Sequence, residues 1–236
     1  MDKLLKRIKE KSTDGLYHAI FHSTFEFGKE EFGDIENTML FFNKLNVPVN
    51  SSILEIGCAI GSFLNEISQQ GYQNISGIDI VPEGIEYGKK KYPHLNLSVY
   101  DGEHLPVGSY DVCVSFDVIE HIPDIRAHIT AVYKIIRPGG QYILHTPNKY
   151  INSIIETIRW RGFFWRKIHP SLQTRRSLIR ILRQAGFNKI EFYRISPLSR
   201  YKMKDFRAPL RFLLSLIPWT SLPFCLQTNF YVVAHK

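Results

Sequence analysis

The sequence predicts an α/β fold built on a mostly parallel β-sheet, and three features support this prediction. From about Ser51 onward, short apolar runs typical of strands alternate with segments of helical periodicity, the order that βαβ units produce. A glycine-containing turn, from Gly57 to Gly61, follows the first strand-like run. An acidic residue, Asp79, ends the second run. Together these features predict a ligand site at the carboxyl ends of the strands.

Seven strands and four helices are predicted from the alternation. The predicted strands are residues 52–56, 74–80, 95–100, 110–116, 141–145, 189–195 and 230–234. The predicted helices are residues 62–70, 82–91, 125–136 and 175–185. Residues 151–168 are rich in Trp, Phe and Arg, which favours an inserted lid or a surface helix over a core element.

Glycine, proline and capping residues predict where the helices begin and end. The first helix is expected to end at Gly71, and Pro82 suits the first turn of the second because its φ is already helical. The sequence Pro138-Gly139-Gly140 is expected to stop the third helix. Thr174 is a good N-cap for the fourth helix, and Gly186 is a good residue for its C-terminal turn.

The size and charge of the chain exclude some classes of protein and indicate the classes of partner. With 236 residues, 44% of them hydrophobic, the chain is long enough for one well-buried globular domain, so wholesale disorder is excluded. Residues 1–150 carry 14 basic and 19 acidic residues, whereas residues 151–236 carry 16 and 3. The basic C-terminal third indicates an anionic substrate, a phospholipid surface or nucleic acid as its partner.

Cysteine usage and hydropathy predict a cytoplasmic protein. The three cysteines, Cys58, Cys113 and Cys225, are odd in number and widely spaced, which excludes a disulfide framework and a Cys-x-x-Cys metal site. The N-terminus has basic residues but no apolar run behind them, unlike a cleaved signal peptide. Residues 212–234 lack charge but are interrupted by Pro218 and Pro223, so a short amphipathic helix, a loop and a strand are expected there.

The glycine turn and Asp79 together predict a nucleoside ligand. Glycines let the chain turn sharply after a strand and let the backbone approach a ligand. The following helix presents free N–H groups at its start. An acidic residue about 20 positions later accepts hydrogen bonds from ribose hydroxyls in such sheets. A dinucleotide is disfavoured, because positions 57, 59 and 62 are Gly, Ala and Ser instead of three glycines.

Several motifs in this order resemble those of the class I S-adenosylmethionine-dependent methyltransferases, and within them the ubiquinone-biosynthesis O-methyltransferase group. The motifs are ILEIGCAIGSFL at 53–64, GIDI at 77–80, DGEHLP at 101–106, YDV at 110–112, DVIEHIPD at 117–124 and RPGG at 137–140. The resemblance covers residues 51–148, with a weaker echo at 178–187. It implies a Rossmann-like, seven-stranded, mostly parallel sheet with helices on both faces and an antiparallel last strand.

The same resemblance implies S-adenosylmethionine as cofactor and assigns residues to it. The residues implied to line its methionine part are Glu55, Gly57, Cys58, Ala59 and Gly61. Asp79 is implied to bind the ribose hydroxyls and Asp101 to face the adenine amino group. The expected set is completed by Gly102, Glu103, Ile80, Phe116 and Asp117. One position departs from the family pattern: Ala59 replaces the middle glycine, and its methyl group is tolerated if φ is negative.

Two histidines are the predicted catalytic residues. Methyl transfer from a sulfonium is an in-line displacement that mainly requires alignment and exclusion of water. A base is needed when the accepting atom carries a proton, and histidine suits this role at neutral pH. His121, just after the fourth strand, is the first candidate, and His145, at the end of the fifth, is the second. Asn148 and His169 follow them, and a purely structural role is the alternative for each.

No metal site is predicted, although the spacing of three side chains leaves a metal site open as an alternative. Asp117, Glu120 and His121 stand at i, i+3 and i+4, a spacing that would place them on one side of a helical turn. Carboxylates so grouped bind hard cations. An ordinary turn after a strand, with solvated carboxylates, is the preferred interpretation.

The chain is expected to form a single methyltransferase domain with three parts. Residues 1–50 would form an N-terminal helical cover, residues 51–148 the cofactor-binding core, and residues 149–236 a lid or insertion with the last helix and strands. In the third part, aromatic residues such as Trp160, Phe163, Phe164 and Trp165 alternate with cations. This pattern fits a lid over the substrate or a segment at the membrane interface.

The expected function is methyl transfer to a small or lipid-linked acceptor at oxygen, by a cytoplasmic protein with peripheral contact at the inner membrane face. Nucleic acid is disfavoured as partner because no RNA-binding module is recognisable. The alternatives are a C- or N-methyltransferase of the same fold, a non-catalytic membrane-associated module and a nicotinamide oxidoreductase. No feature of the sequence predicts the oligomeric state.

Overall fold

The computed structural model of the chain describes residues 34–100, 105–159, 161–163, 165–199 and 208–236. In chain order its elements are α1 (Ile35–Asn43), β1 (Ile53–Ile56), α2 (Ser62–Gln69), β2 (Ile75–Asp79), α3 (Pro82–Lys91), β3 (Asn96–Val99), β4 (Tyr110–Phe116), α4 (Ile125–Ile135), β5 (Ile136–Pro147), α5 (Lys149–Arg159), α6 (Trp165–Ile168), α7 (Arg175–Ala185), β6 (Lys189–Tyr193), α8 (Ala208–Ser215) and β7 (Asn229–His235). Short 3-10 turns at Trp219–Ser221 and Phe224–Leu226 precede β7.

The strands form one seven-stranded sheet in the order β3-β2-β1-β4-β5-β7-β6. Neighbouring strands from β3 to β5 are parallel, whereas β7 lies antiparallel between β5 and β6. The order reverses at β1, so β1 and β4 diverge at a switch point where the carboxyl ends of the strands open a crevice. The predicted Rossmann-like sheet with an antiparallel last strand is confirmed.

Helices cover both faces of the sheet, because successive side chains of a strand point to opposite faces. On β1, Leu54 and Ile56 belong to a core that α4 and α7 close. Ile53, which precedes Leu54 and points to the other face, belongs to a second core that α1, α2 and α3 close. Phe41 and Phe42 of α1 are fully buried in this second core.

The third predicted helix ends one residue earlier than expected, and the Pro-Gly-Gly sequence is not what stops it. Helix α4 ends at Ile135, and the chain becomes extended at Ile136, before Pro138-Gly139-Gly140. The Pro-Gly-Gly sequence lies inside β5, where the register against β4 shifts between Tyr110 and Val112. A bulge accommodates Gly139 with φ +81, so these residues interrupt strand pairing instead of ending a helix.

The segment expected as a lid or surface helix, residues 151–168, contains most of α5 and all of α6. Trp160 and Phe164, which belong to its aromatic pattern, lie outside the described residues. Residues 1–33 of the expected N-terminal cover lie outside them as well. Within the described ranges, no helix is both long enough and apolar enough to cross a membrane.

Candidate active site

The loop between β1 and α2 is wound tightly at the carboxyl edge of the sheet. Gly57, Ala59 and Gly61 all have positive φ, at +77, +50 and +84. The N–H groups of Gly57 and Cys58 donate to the carbonyl of Ile78, at 2.8 and 3.0 Å, which ties the loop to β2. Gly61 is the N-cap of α2 and has no side chain to occupy the first N–H groups of the helix. The first N–H groups of α2 therefore remain as backbone donors at this edge of the sheet.

Two glycines are required by close contacts around this loop. A Cβ at Gly57 would lie closer than 3.0 Å to Cγ2 of Val118, in the loop after β4. A Cβ at Gly88 in α3 would lie 2.5 Å from the backbone oxygen of Ile60. Helix α3 and the loop after β4 therefore pack directly on the glycine loop.

The conformation of Ala59 differs from the one that the sequence analysis required. A negative φ was the condition for a methyl group at this position, but φ is +50. The left-handed conformation costs an L-residue about 1–2 kcal/mol. Ala59 is held in it because its N–H donates to Oδ2 of Asp79 at 2.8 Å.

Asp79, at the end of β2, accepts hydrogen bonds from the glycine loop and from the residues that follow β2. Its Oδ2 accepts the hydrogen bond from Ala59, and its Oδ1 accepts one from the N–H of Val81 at 2.9 Å. Burial raises the pKa of Asp79, and these backbone hydrogen bonds act in the opposite direction. Each carboxylate oxygen has a second lone pair for a ligand hydroxyl.

Glu55 is a buried carboxyl group directly below the loop. Its side chain is 5% exposed, and its Oε2 accepts no hydrogen bond from the described residues. Burial raises the pKa of Glu55 well above its usual value, and the negative charge of Asp79 raises it further. A buried carboxylate with an open acceptor is suited to a positively charged ligand group such as an ammonium.

Asp117 and His145 form a pair at the adjoining ends of β4 and β5. Asp117 has φ +55, and its side chain is 52% exposed. Its Oδ1 lies 3.2 Å from Nδ1 of His145, whose side chain is only 5% exposed. This is an ion-pair distance, and neither ring nitrogen of His145 makes a hydrogen bond with the described residues. The imidazole stacks on Tyr231 of β7, with ring centroids 4.5 Å apart. The carboxylate therefore faces the crevice, while the imidazole lies behind it.

His121 contacts the last residue of α6, Ile168, and the residue after it, His169. Its Nδ1 donates to the carbonyl of Ile168 at 2.8 Å, and its ring centroid lies 4.8 Å from that of His169. Burial lowers the pKa of His121, while the Ile168 hydrogen bond and the charge of Asp117 oppose this shift. The neutral ring with hydrogen on Nδ1 is consistent with both observations.

The premise of the metal-site alternative is not met, because residues 117–121 form a bend and turn instead of a helical turn. Glu120 points into the protein, where Thr146 Oγ1 donates to its Oε2 at 2.9 Å. Burial raises the pKa of Glu120 well above its usual value, and Asp117 raises it further. In the portion of the chain that the structure describes, no group of three His, Cys, Asp or Glu side chains is placed to hold a metal ion.

The remaining predicted residues lie around the same edge, with one group outside the structure. Phe116 packs edge-on against Phe63 of α2 at 5.0 Å, and Ile80 is exposed just beyond Asp79. Cys58 is buried, and burial raises its pKa, so it packs as a neutral thiol. Asp101, Gly102 and Glu103 lie outside the described residues.

Three residues that contribute to the site were not predicted from the sequence: Val118, Thr146 and Tyr231. Val118 and Thr146 lie next to predicted residues but carry no chemical signature of a site. Tyr231 reaches His145 only because β7 is inserted beside β5. Their roles depend on three-dimensional neighbours and have no sequence signal of their own.

Comparison with known proteins identifies the family of the chain. The family model described as a methyltransferase domain matches residues 27–191. Phosphoethanolamine N-methyltransferase 1 of Arabidopsis thaliana is 26% identical over 199 residues, which cover 80% of this chain and 38% of that protein. The ubiquinone biosynthesis O-methyltransferase of Aromatoleum aromaticum is 23% identical over 158 residues, which cover 63% of this chain and 60% of that protein. The chain thus spans less than two thirds of the length of either relative.

A solved structure supports the fold. The SAM-dependent methyltransferase from Archaeoglobus fulgidus superposes with a TM-score of 0.64 at 16% identity, covering 93% of this chain and 100% of that one. The chain belongs to the methyltransferase domain family. This assignment agrees with the resemblance in the motifs and favours a methyltransferase over a nicotinamide oxidoreductase.

Proposed function

We propose that this chain transfers a methyl group from S-adenosylmethionine to a hydroxyl oxygen of a small or lipid-linked acceptor. The observation that carries the proposal is the Asp117–His145 pair, which combines an exposed carboxylate with a buried imidazole 3.2 Å away. An oxygen acceptor must lose a proton as it is methylated, whereas an amine reacts through its lone pair. A solvent-accessible carboxylate supported by an imidazole provides a destination for that proton.

The cofactor is proposed to lie across the loop after β1. The buried Oε2 of Glu55 would accept a hydrogen bond from its ammonium group, and the backbone of residues 57–61 would surround its methionine part. Asp79 would use its remaining lone pairs for the ribose hydroxyls. Ile80 and Phe116 would provide apolar contacts at the neighbouring strand ends. When bound, S-adenosylmethionine supplies an activated methyl group on a sulfonium.

The residues of the chain would then align the acceptor and move its proton. Asp117 accepts the hydroxyl proton in this proposal, and the imidazole of His145 lies directly behind the carboxylate, with its Nδ1 3.2 Å from Oδ1. His145 is too buried to touch the acceptor itself. His121 would act through its hydrogen bond to Ile168, which fixes α6 beside the site.

The first experiment tests the cofactor site by calorimetric titration with S-adenosylhomocysteine. Asp79→Ala removes the carboxylate that holds the loop and is expected to abolish measurable binding. Glu86→Ala, which removes an exposed carboxylate from α3, is the matched control and should bind like the unmodified protein. Unchanged binding by Asp79→Ala would refute the placement, and no binding by the unmodified protein would refute the use of this cofactor.

The second experiment tests the accepting atom. Asp117→Asn is expected to slow methylation of phenolic acceptors at least a hundredfold, the usual contribution of a positioned base. Phenols that are already ionised at the assay pH should be almost insensitive to the change. Methyl transfer to amines alone, at rates that Asp117→Asn does not alter, would replace the proposal with the N-methyltransferase alternative.

A further inference from the structure

Helix α5 has its apolar side chains directed outward. Tyr150, Ile154 and Ile158 follow one another at intervals of four residues, so they form a single stripe along the helix. Ile154 is 60% exposed and Ile158 is 73% exposed. A surface helix ordinarily turns such a stripe toward the core. The stripe therefore forms an unpartnered apolar face on the described part of the chain.

Polar contacts hold α5 in this inverted orientation. On the opposite side of the helix, Glu156 is only 5% exposed. The hydroxyl of Thr157 donates to the carbonyl of Ser153 at 2.6 Å and accepts from Nε1 of Trp165 at 2.8 Å. The bond to Ser153 lies within α5, whereas the bond from Trp165 joins α5 to α6, so rotation of the helix to bury the isoleucines would break the Trp165 bond.

A second apolar helix is attached to the start of α5. Phe212 and Leu213 of α8 and Leu216, directly after it, are exposed. The indole of Trp219 donates to the carbonyl of Leu214 at 2.9 Å, which fixes the segment after α8.

Gln227 and Asn148 complete this attachment. Nε2 of Gln227 donates to the carbonyl of Trp219 at 2.6 Å, and Nδ2 of Asn148 donates to the carbonyl of Gln227 at 2.8 Å. Asn148 lies between the end of β5 and the start of α5. Both apolar segments are thus attached at the carboxyl edge of the sheet, where the candidate active site lies.

Cations accompany the exposed apolar residues. Lys149, Arg161, Arg166, Lys167 and Arg211 are all exposed. The guanidinium of Arg166 lies over the ring of Phe163, 4.6 Å from its centroid. Aromatic, aliphatic and basic side chains in one region suit the boundary between lipid headgroups and acyl chains. The low number of acidic residues after position 150 removes competing negative charge.

We propose that the apolar faces of α5 and α8, with their neighbouring cations, dock the protein on the surface of an anionic lipid bilayer. Apolar burial and attraction to anionic headgroups would contribute together. The inference goes beyond the proposed function and does not depend on it, because docking requires neither cofactor nor acceptor.

The test is cosedimentation of the full chain with vesicles. Vesicles of phosphatidylcholine alone are compared with vesicles of equal parts phosphatidylcholine and phosphatidylglycerol, at low and high salt. The protein is expected to bind the anionic vesicles preferentially and to lose part of this binding at high salt. Titration with S-adenosylhomocysteine in parallel separates a failure of docking from a failure of the proposed function.

Paired variants identify the surface responsible. Ile154→Ser combined with Ile158→Ser is expected to lower the vesicle partition coefficient at least tenfold, because two apolar side chains lose their burial in the interface. Val107→Ser is the control: Val107 is fully exposed but precedes β4, at the opposite edge of the sheet.

The cations are tested in the same way. Arg166→Gln with Lys167→Gln should weaken binding to anionic vesicles severalfold. Lys89→Gln with Lys90→Gln, at the far end of α3, should leave that binding unchanged.

Three outcomes would overturn the proposal. Binding that the isoleucine variant and the Val107 control retain equally would show that another surface is responsible. A dimer in light scattering that the isoleucine variant converts to monomer, without vesicle binding, would show that a second copy covers the face. A monomer that binds neither vesicle would exclude a lipid surface and leave residues 1–33 as the next candidate to cover it.

Discussion

The tight contact between Gly57 and Val118 can be tested by comparing two glycines with almost the same backbone conformation. Gly57 has φ +77 and Gly139 has φ +81. A Cβ at Gly57 would lie closer than 3.0 Å to Cγ2 of Val118, whereas a Cβ at Gly139 would meet nothing within 4 Å. Substitution of each by alanine therefore adds the same backbone strain, and only Gly57→Ala adds a steric clash.

The expected losses in the free energy of unfolding follow from the backbone strain and the steric clash. Left-handed strain costs about 1–2 kcal/mol in either variant, and the lower entropy of the unfolded chain returns about 0.4–1 kcal/mol. Gly139→Ala should therefore lower the free energy of unfolding by about 0–2 kcal/mol. The clash with Val118 adds about 1–3 kcal/mol of overpacking, so Gly57→Ala should lower it by about 1–5 kcal/mol.

Urea unfolding of both variants, with and without Val118→Ala, measures the clash directly. Because Val118→Ala removes Cγ2, the double variant with Gly57→Ala should be more stable than the sum of the single changes predicts, by about 1–3 kcal/mol. The combination of Val118→Ala with Gly139→Ala should be additive. Equal losses for the two glycine variants, or additivity in the Gly57 pair, would refute the packing argument.

Three further predictions concern the same edge of the sheet. Ala59→Gly should raise the free energy of unfolding by up to about 1 kcal/mol in urea, since it relieves the strain at φ +50; a loss would show that the conformation is not strained. Because the pKa of Glu55 is raised in the folded protein, its ionisation destabilises the ligand-free fold as pH rises through the interval above its usual pKa. Glu55→Gln should therefore stabilise the ligand-free protein in thermal unfolding at neutral pH but not in acid, and a benefit that persists in acid would contradict this cause. Asn148→Ala should destabilise by about 1–3 kcal/mol, since its side chain donates to three carbonyls between Phe224 and Gln227; unchanged thermal unfolding would contradict a structural role for these bonds.

Local signals in the sequence predicted most of the fold. The predicted bounds of α3 at Pro82 and of α7 at Arg175 match the structure. The side chain of Thr174 caps α7, and Gly186 ends it with φ +116, as their residue types indicated. These features depend on residues only a few positions apart, which is why composition and spacing were sufficient.

Features that depend on distant parts of the chain were not predictable. The sequence after β4 was interpreted as an ordinary turn with solvated carboxylates, but Glu120 is buried and accepts a hydrogen bond from Thr146, 26 residues away. The burial of His145 depends on Tyr231 of β7. The composition of residues 151–168 favoured a lid or a surface helix, but the hydrogen bond from Trp165 that joins α6 to Thr157 of α5 had no signal in that composition.

The position of β7 has a consequence for the order in which the protein assembles during synthesis. β7 is the last strand of the sheet along the chain, but it lies between β5 and β6 and pairs with both. Until residues 229–235 have left the ribosome, β5 has an open edge and β6 has no partner in the sheet. The unpaired N–H and C=O groups of such strand edges form hydrogen bonds with strands of other chains. The half of the sheet that carries His145 can therefore close only after residues 229–235 have emerged.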